Sequence, residues 1–158
     1  MKITVSIVLS LLTAAWMCGC ERPPQFPPLP EISNSASGNG AMVALALPKR
    51  SLKIGETVQA TIIVRNTTDQ PMRIDATTSA PYHIRVYRAT SVGWEVTKQY
   101  PEAALMVMSP WTLEPQTQRT FSAKLPVEPD WPTGTVRITA GINGLGDIHP
   151  GLTVIVAR

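Results

Sequence analysis

His83 and His149 are the only imidazoles in the 158 residues, and Asp147 stands two places before the second. A carboxylate and an imidazole at that spacing could begin a metal site or a general-base pair. A closed metal site needs more ligands than these, and no nucleophile is marked out beside them. Neither an enzyme nor a bound metal, cofactor or small-molecule substrate is therefore expected. Residues 141–147, GINGLGD, are rich in glycine. They follow a strand-like run and no helix follows them, so no helix N-terminus is available for a phosphate, and the segment reads as a hairpin connection. Asn66-Thr67-Thr68 has the letters of a glycosylation sequon and the composition of a turn. Residues 100–111, YPEAALMVMSPW, are apolar for a segment between strands. Exposed, they would form a binding loop of Tyr100, Pro101, Leu105, Met106 and Met108, since loops on a rigid scaffold carry recognition. The more ordinary reading of so apolar a run is a helical turn or crossover packed on the core.

The other reactive groups are Cys18 and Cys20, the only cysteines, both close to the start of the chain. The body that follows has no internal disulfide or thiolate metal site. Met1 and Lys2 open a short positive region, and residues 3–17 are almost wholly apolar. That run is shorter than the roughly 20 residues a transmembrane helix needs, and suits a secretory signal. Met17-Cys18-Gly19-Cys20 resembles a bacterial lipobox. The resemblance implies cleavage between Gly19 and Cys20, diacylglycerol on the Cys20 sulfur and acylation of the new amine; several acyl chains hold a protein at a membrane far more firmly than one. Thr13-Ala14-Ala15 could instead be an ordinary signal-peptidase site, or the apolar helix could stay as an uncleaved anchor. Glu21 is not the aspartate that resembles an inner-membrane retention signal, which leaves both envelope membranes open.

These groups are positioned by two further parts. Residues 20–40 read as the lipidated cysteine and a disordered tether, proline-rich to Pro30 and then rich in serine, asparagine and glycine. The first half favours extended polyproline II and the second is floppy. A spacer is the plain reading of the prolines, and a PxxP docking motif the sharper one. From residue 41 the pattern changes to period two. Residues 42–47, 57–65, 72–76, 82–88, 94–98, 118–125, 135–140 and 152–157 read as strands separated by Pro, Gly, Asn and Asp. About seven or eight short strands with no long helix predict an all-β domain over 41–158, a single antiparallel immunoglobulin-like sandwich. Its core should rest on Val, Ile, Leu, Trp94 and Phe121. The 15 prolines argue against helices, and a net charge of +3 on scattered basic residues makes no footprint for nucleic acid.

The order of these pieces resembles the BsuPI family, the intracellular proteinase inhibitor domain. It runs from Ile54-Gly55-Glu56-Thr57 through Val64-Arg65-Asn66-Thr67-Thr68-Asp69-Gln70-Pro71 to Tyr82-His83-Ile84-Arg85-Val86. Gly93-Trp94-Glu95-Val96, Tyr100-Pro101-Glu102-Ala103-Ala104-Leu105, Thr112-Leu113-Glu114-Pro115 and Pro132-Thr133-Gly134-Thr135-Val136 complete it. His83, Tyr100, Glu102 and Gln116 stand where the family has Asp, Phe, Gln and Gly. The resemblance implies a β-sandwich that binds protein, a proteinase being one candidate partner, and transfers no inhibitory residue. The expectation is a lipid-anchored envelope protein, non-enzymatic, whose partner is a protease or a component of an envelope assembly.

Overall fold

The computed structural model describes residues 26–158. Cys18, the Gly19/Cys20 cleavage and lipidation site and residues 21–25 of the expected tether lie outside them. The described residues are all-β: eleven strands in three sheets. They are β1 (Ser33–Gly38), β2 (Ala41–Ala46), β3 (Ser51–Lys53), β4 (Thr57–Asn66), β5 (Met72–Ala76), β6 (Tyr82–Thr90), β7 (Gly93–Tyr100), β8 (Ser109–Leu113), β9 (Gln118–Pro126), β10 (Gly134–Ile142) and β11 (Gly151–Ala157). Among the described residues no helix is long and apolar enough to cross a membrane.

The eight expected strands are β2, β4–β7 and β9–β11, and alternation is their common signal. On β4, Val58, Ala60, Ile62 and Val64 point to the core, as period two requires. β1, β2, β4 and β9 form one sheet in that order; β3, β11, β10, β6 and β7 form the second; β5 and β8 pair alone. Side chains of both larger sheets make one buried cluster, with Leu45, Ile62 and Leu125 on one side and Ile84, Val86, Ile138 and Val154 on the other.

Four expectations are corrected. The strand count rises from seven or eight to eleven. The pairing is not wholly antiparallel, because β3 runs parallel to β11, with Leu52 opposite Val156. Residues 33–40 are not a floppy tether. Ser33–Gly38 pairs antiparallel with β2 through a two-residue turn in which Asn39 (φ 50°) and Gly40 (φ 75°) are both left-handed, the geometry that Asn-Gly favours in a tight hairpin. The prolines just before are also held: the Arg65 guanidinium lies 4.9 Å from the centre of the Phe26 ring and donates to the Pro27 carbonyl. This contact helps bury Arg65 on what alternation assigned to the open face of β4. Finally, Trp94 is 42% exposed and Phe121 only partly buried, while Trp131 is the buried tryptophan, at 3%. Trp94 stands next to the exposed turn joining β6 to β7, beyond the reach of the opposite sheet.

Candidate functional site

The segment between β7 and β8 rises from a well-made base. Tyr100 ends β7 and is 9% exposed. The Trp131 indole donates to its hydroxyl at 2.9 Å, and the hydroxyl lies 3.0 Å from Glu128 Oε2. Glu128 and Asp130 both hold the Lys98 ammonium, at 3.0 and 2.7 Å. Burial pushes the Tyr100 phenol up to about 12, and the two carboxylates raise Lys98 above the ordinary lysine range. Tyr100 is therefore an anchor, a correction to its expected place among presented binding residues.

Beyond it the chain leaves the core. Pro101 is exposed, and Leu105, Met106, Val107 and Met108 are 72%, 83%, 47% and 65% exposed. The expectation that this run packs as a turn or crossover on the core is overturned. No helix forms, the apolar side chains face outward, and the backbone is tied at Leu105. The Leu105 amide donates to Ser79 Oγ at 3.0 Å, and the Ser79 amide donates to the Leu105 carbonyl at 2.8 Å. Sequence reasoning missed this clasp, which joins residues far apart in the chain. An apolar cleft of about 550 Å³, lined by Pro81, Tyr82, Tyr100, Pro101, Ala123 and Pro126, opens beside the base of the loop.

The second grouping is the histidines. β6 and β10 pair so that His83 stands opposite Gly141, and the connection after β10 folds back to bring His149 over the same glycine. The ring centres are 5.2 Å apart. Asn143 donates through its amide nitrogen to Thr78 Oγ1 and the Ala80 carbonyl, so its oxygen faces His83 Nδ1, at 2.8 Å. That assigns the His83 proton to Nδ1. Burial, opposed in part by this hydrogen bond, lowers the His83 pKa. Asp147 Oδ1 lies 4.0 Å from His149 Nε2 and is fully exposed, too far for a hydrogen bond. No His, Cys, Asp or Glu group of three or more among the described residues could hold a metal. Residues 143–150 join β10 to β11 as a hairpin connection without a helix, as expected.

Asn66, the first residue of the sequon, is fully buried. Its amide donates to the Gln70 and Leu113 carbonyls, and its oxygen accepts from the Thr68 amide and hydroxyl. It organises a turn and presents nothing to solvent.

The chain matches no protein-family model and no curated protein. Among solved structures it is similar to the sporulation control protein Spo0M of Bacillus subtilis, at 18% identity over 76% of this chain and 50% of that chain, with a TM-score of 0.52. It is also similar to the alkylpurine DNA glycosylase AlkC of Pseudomonas fluorescens bound to DNA containing an abasic site analog, at 11% identity over 77% of this chain and 31% of that chain, with a TM-score of 0.53. The chain thus spans half or less of the length of these structures. At such identities the likeness shows the fold alone.

Proposed function

We propose that this chain is a lipid-anchored bacterial envelope protein whose β domain binds a partner protein through residues 101–108, a protease being the partner to test first. The observation that carries the reading is the row Leu105-Met106-Val107-Met108, exposed to water, with its first residue Leu105 clasped to Ser79. An apolar segment held in place loses little conformational entropy on binding, and entering a cleft of a partner removes its side chains from water. The ordered resemblance to the BsuPI family supports a protein ligand. An immunoglobulin-like sandwich, with the four- and five-stranded sheets as its faces, is the scaffold this reading takes. The lipobox resemblance at Cys20 supplies the anchor, and no chemical step is assigned to the domain.

The test adds the full chain in detergent to serine, cysteine and metalloproteases and follows residual activity. Saturable, one-to-one loss of one protease's activity is expected, and it should be lost when Leu105, Met106 and Met108 are replaced together by serine. Inhibition unchanged in that variant would sink the loop assignment, and activity untouched across the panel would sink a protease as partner. Anchoring is read separately by detergent-phase partitioning: the wild type should enter the detergent phase and Cys20→Ser should not take up labelled palmitate.

A further inference from the structure

The histidine pair has unused chemistry. His83 Nε2 and His149 Nδ1 are both buried and neither has a hydrogen-bond partner. Buried ring nitrogens are ordinarily satisfied, because an unpaired one loses its hydration with nothing in return. Both rings lie over Gly141, where a Cβ would come within 2.7 Å of Cε1 of each ring. The missing side chain therefore makes the space in which the two imidazoles meet. On His83 the other nitrogen, Nδ1, is held by Asn143 Oδ1 at 2.8 Å, whereas the exposed Asp147 carboxylate, 4.0 Å from His149 Nε2, makes no hydrogen bond to it. Metal-binding histidines have the arrangement seen at His83, one nitrogen oriented by an outer oxygen and the other presenting a lone pair.

We infer that His83 and His149 form a two-imidazole site for a borderline divalent cation of the zinc or copper type, bound through His83 Nε2 and His149 Nδ1 and completed by water. The ring separation agrees. Two imidazoles on one ion, with metal–nitrogen bonds of roughly 2.0–2.1 Å and tetrahedral spacing, place their centres about 5.2 Å apart, and here they are 5.2 Å apart. The proton assigned to His83 Nδ1 leaves Nε2 free to ligate, and burial favours the neutral ring that ligation requires. The Arg85 charge beside His83 acts against a divalent ion. With only two protein ligands the site is exchangeable, unlike a closed structural site. It lies next to the candidate loop: His83 and Asn143 line a cleft of about 150 Å³ with Thr78, Gln99, Pro101 and Ala104.

The test titrates zinc chloride into the full chain, ¹⁵N-labelled at histidine, in detergent and without competing chelator. The expected result is that the His83 Nε2 and His149 Nδ1 resonances shift together and saturate at one zinc per chain. His83→Gln and His149→Gln should each abolish the shift of the remaining ring, and Asn143→Ala should weaken binding about tenfold to a hundredfold. The wild-type spectrum decides the matter even where a variant fails to fold. Ring nitrogens that stay unmoved in excess zinc overturn the site, including the case in which zinc is taken up at Cys18 or Cys20 instead.

Discussion

At the scale of single residues, two titratable groups, half-buried His83 and buried Tyr100, tie the fold to pH. His83 has a lowered pKa because burial disfavours its charged form. The unfolded chain takes up its proton near pH 6.5, and the folded chain only at lower pH. Protons bind more to the unfolded state in that window, so stability is level above about pH 6.5 and falls as pH drops below it. The urea midpoint in chelator should be lower at pH 5.5 than at 7.5, and His83→Gln should narrow the difference; an equal drop in both proteins would count against this assignment. Tyr100 works in the opposite direction. Its phenol is pushed up to about 12 by burial, so its contribution is whole below pH 10 and disappears as pH rises through the folded value. Tyr100→Phe removes the acceptor of the buried Trp131 indole and should cost about 1–3 kcal/mol at pH 7 in denaturant titrations. It should also flatten the loss of stability on the alkaline side.

At the scale of elements, the connection from β10 to β11 depends on one backbone position. Gly144 has a φ of 91°, and a Cβ there would lie 2.6 Å from the Asp75 carbonyl oxygen of β5. An L side chain meets both an unfavourable dihedral and a backbone atom that cannot swing aside. Gly144→Ala should therefore destabilise the domain by at least about 2 kcal/mol. Gly55→Ala is the control: its φ is 89° but nothing lies within 4 Å of the added carbon, so only the dihedral cost should appear. Comparable thermal midpoints for the two variants would show that the approach to Asp75 is not tight. The eight expected strands were legible because alternation and turn residues are local. β3 and β8 were not: β3 has three residues, too few to show a period, and β8 carries Pro110 within its SPWTL run. Each is a strand because a partner, β11 or β5, supplies its ladder.

At the scale of the whole molecule, the folded unit begins earlier than composition suggests. β1 pairs with all six residues of β2, Asn34 donates to the Gly151 carbonyl across to the other sheet, and the Leu47 amide donates to the Ile32 carbonyl. A chain starting at residue 41 would leave β2 as an unpaired edge, an invitation to aggregation. A chain starting at residue 26 should unfold at a higher temperature than one starting at 41, and stay monomeric at concentrations where the shorter one associates. Equal midpoints and equal sedimentation would show that β1 adds nothing. The Asn39-Gly40 pair was the available signal for this hairpin, hidden because the flanking residues are serine and small rather than alternating apolar.

The amino-acid sequence by itself determined an all-β domain, the places of eight strands, and a β10–β11 connection without a helix. These follow from a two-residue period and from turn chemistry, both set within a few bonds. The tertiary structure alone decided that Trp131 rather than Trp94 is buried, that residues 105–108 stand in water, and that His83 and His149 meet over Gly141. Those outcomes depend on strand register and on which distant segment covers a face. Such pairings join residues as far apart as Ser51 and Ile155, and no local pattern in the chain carries that information.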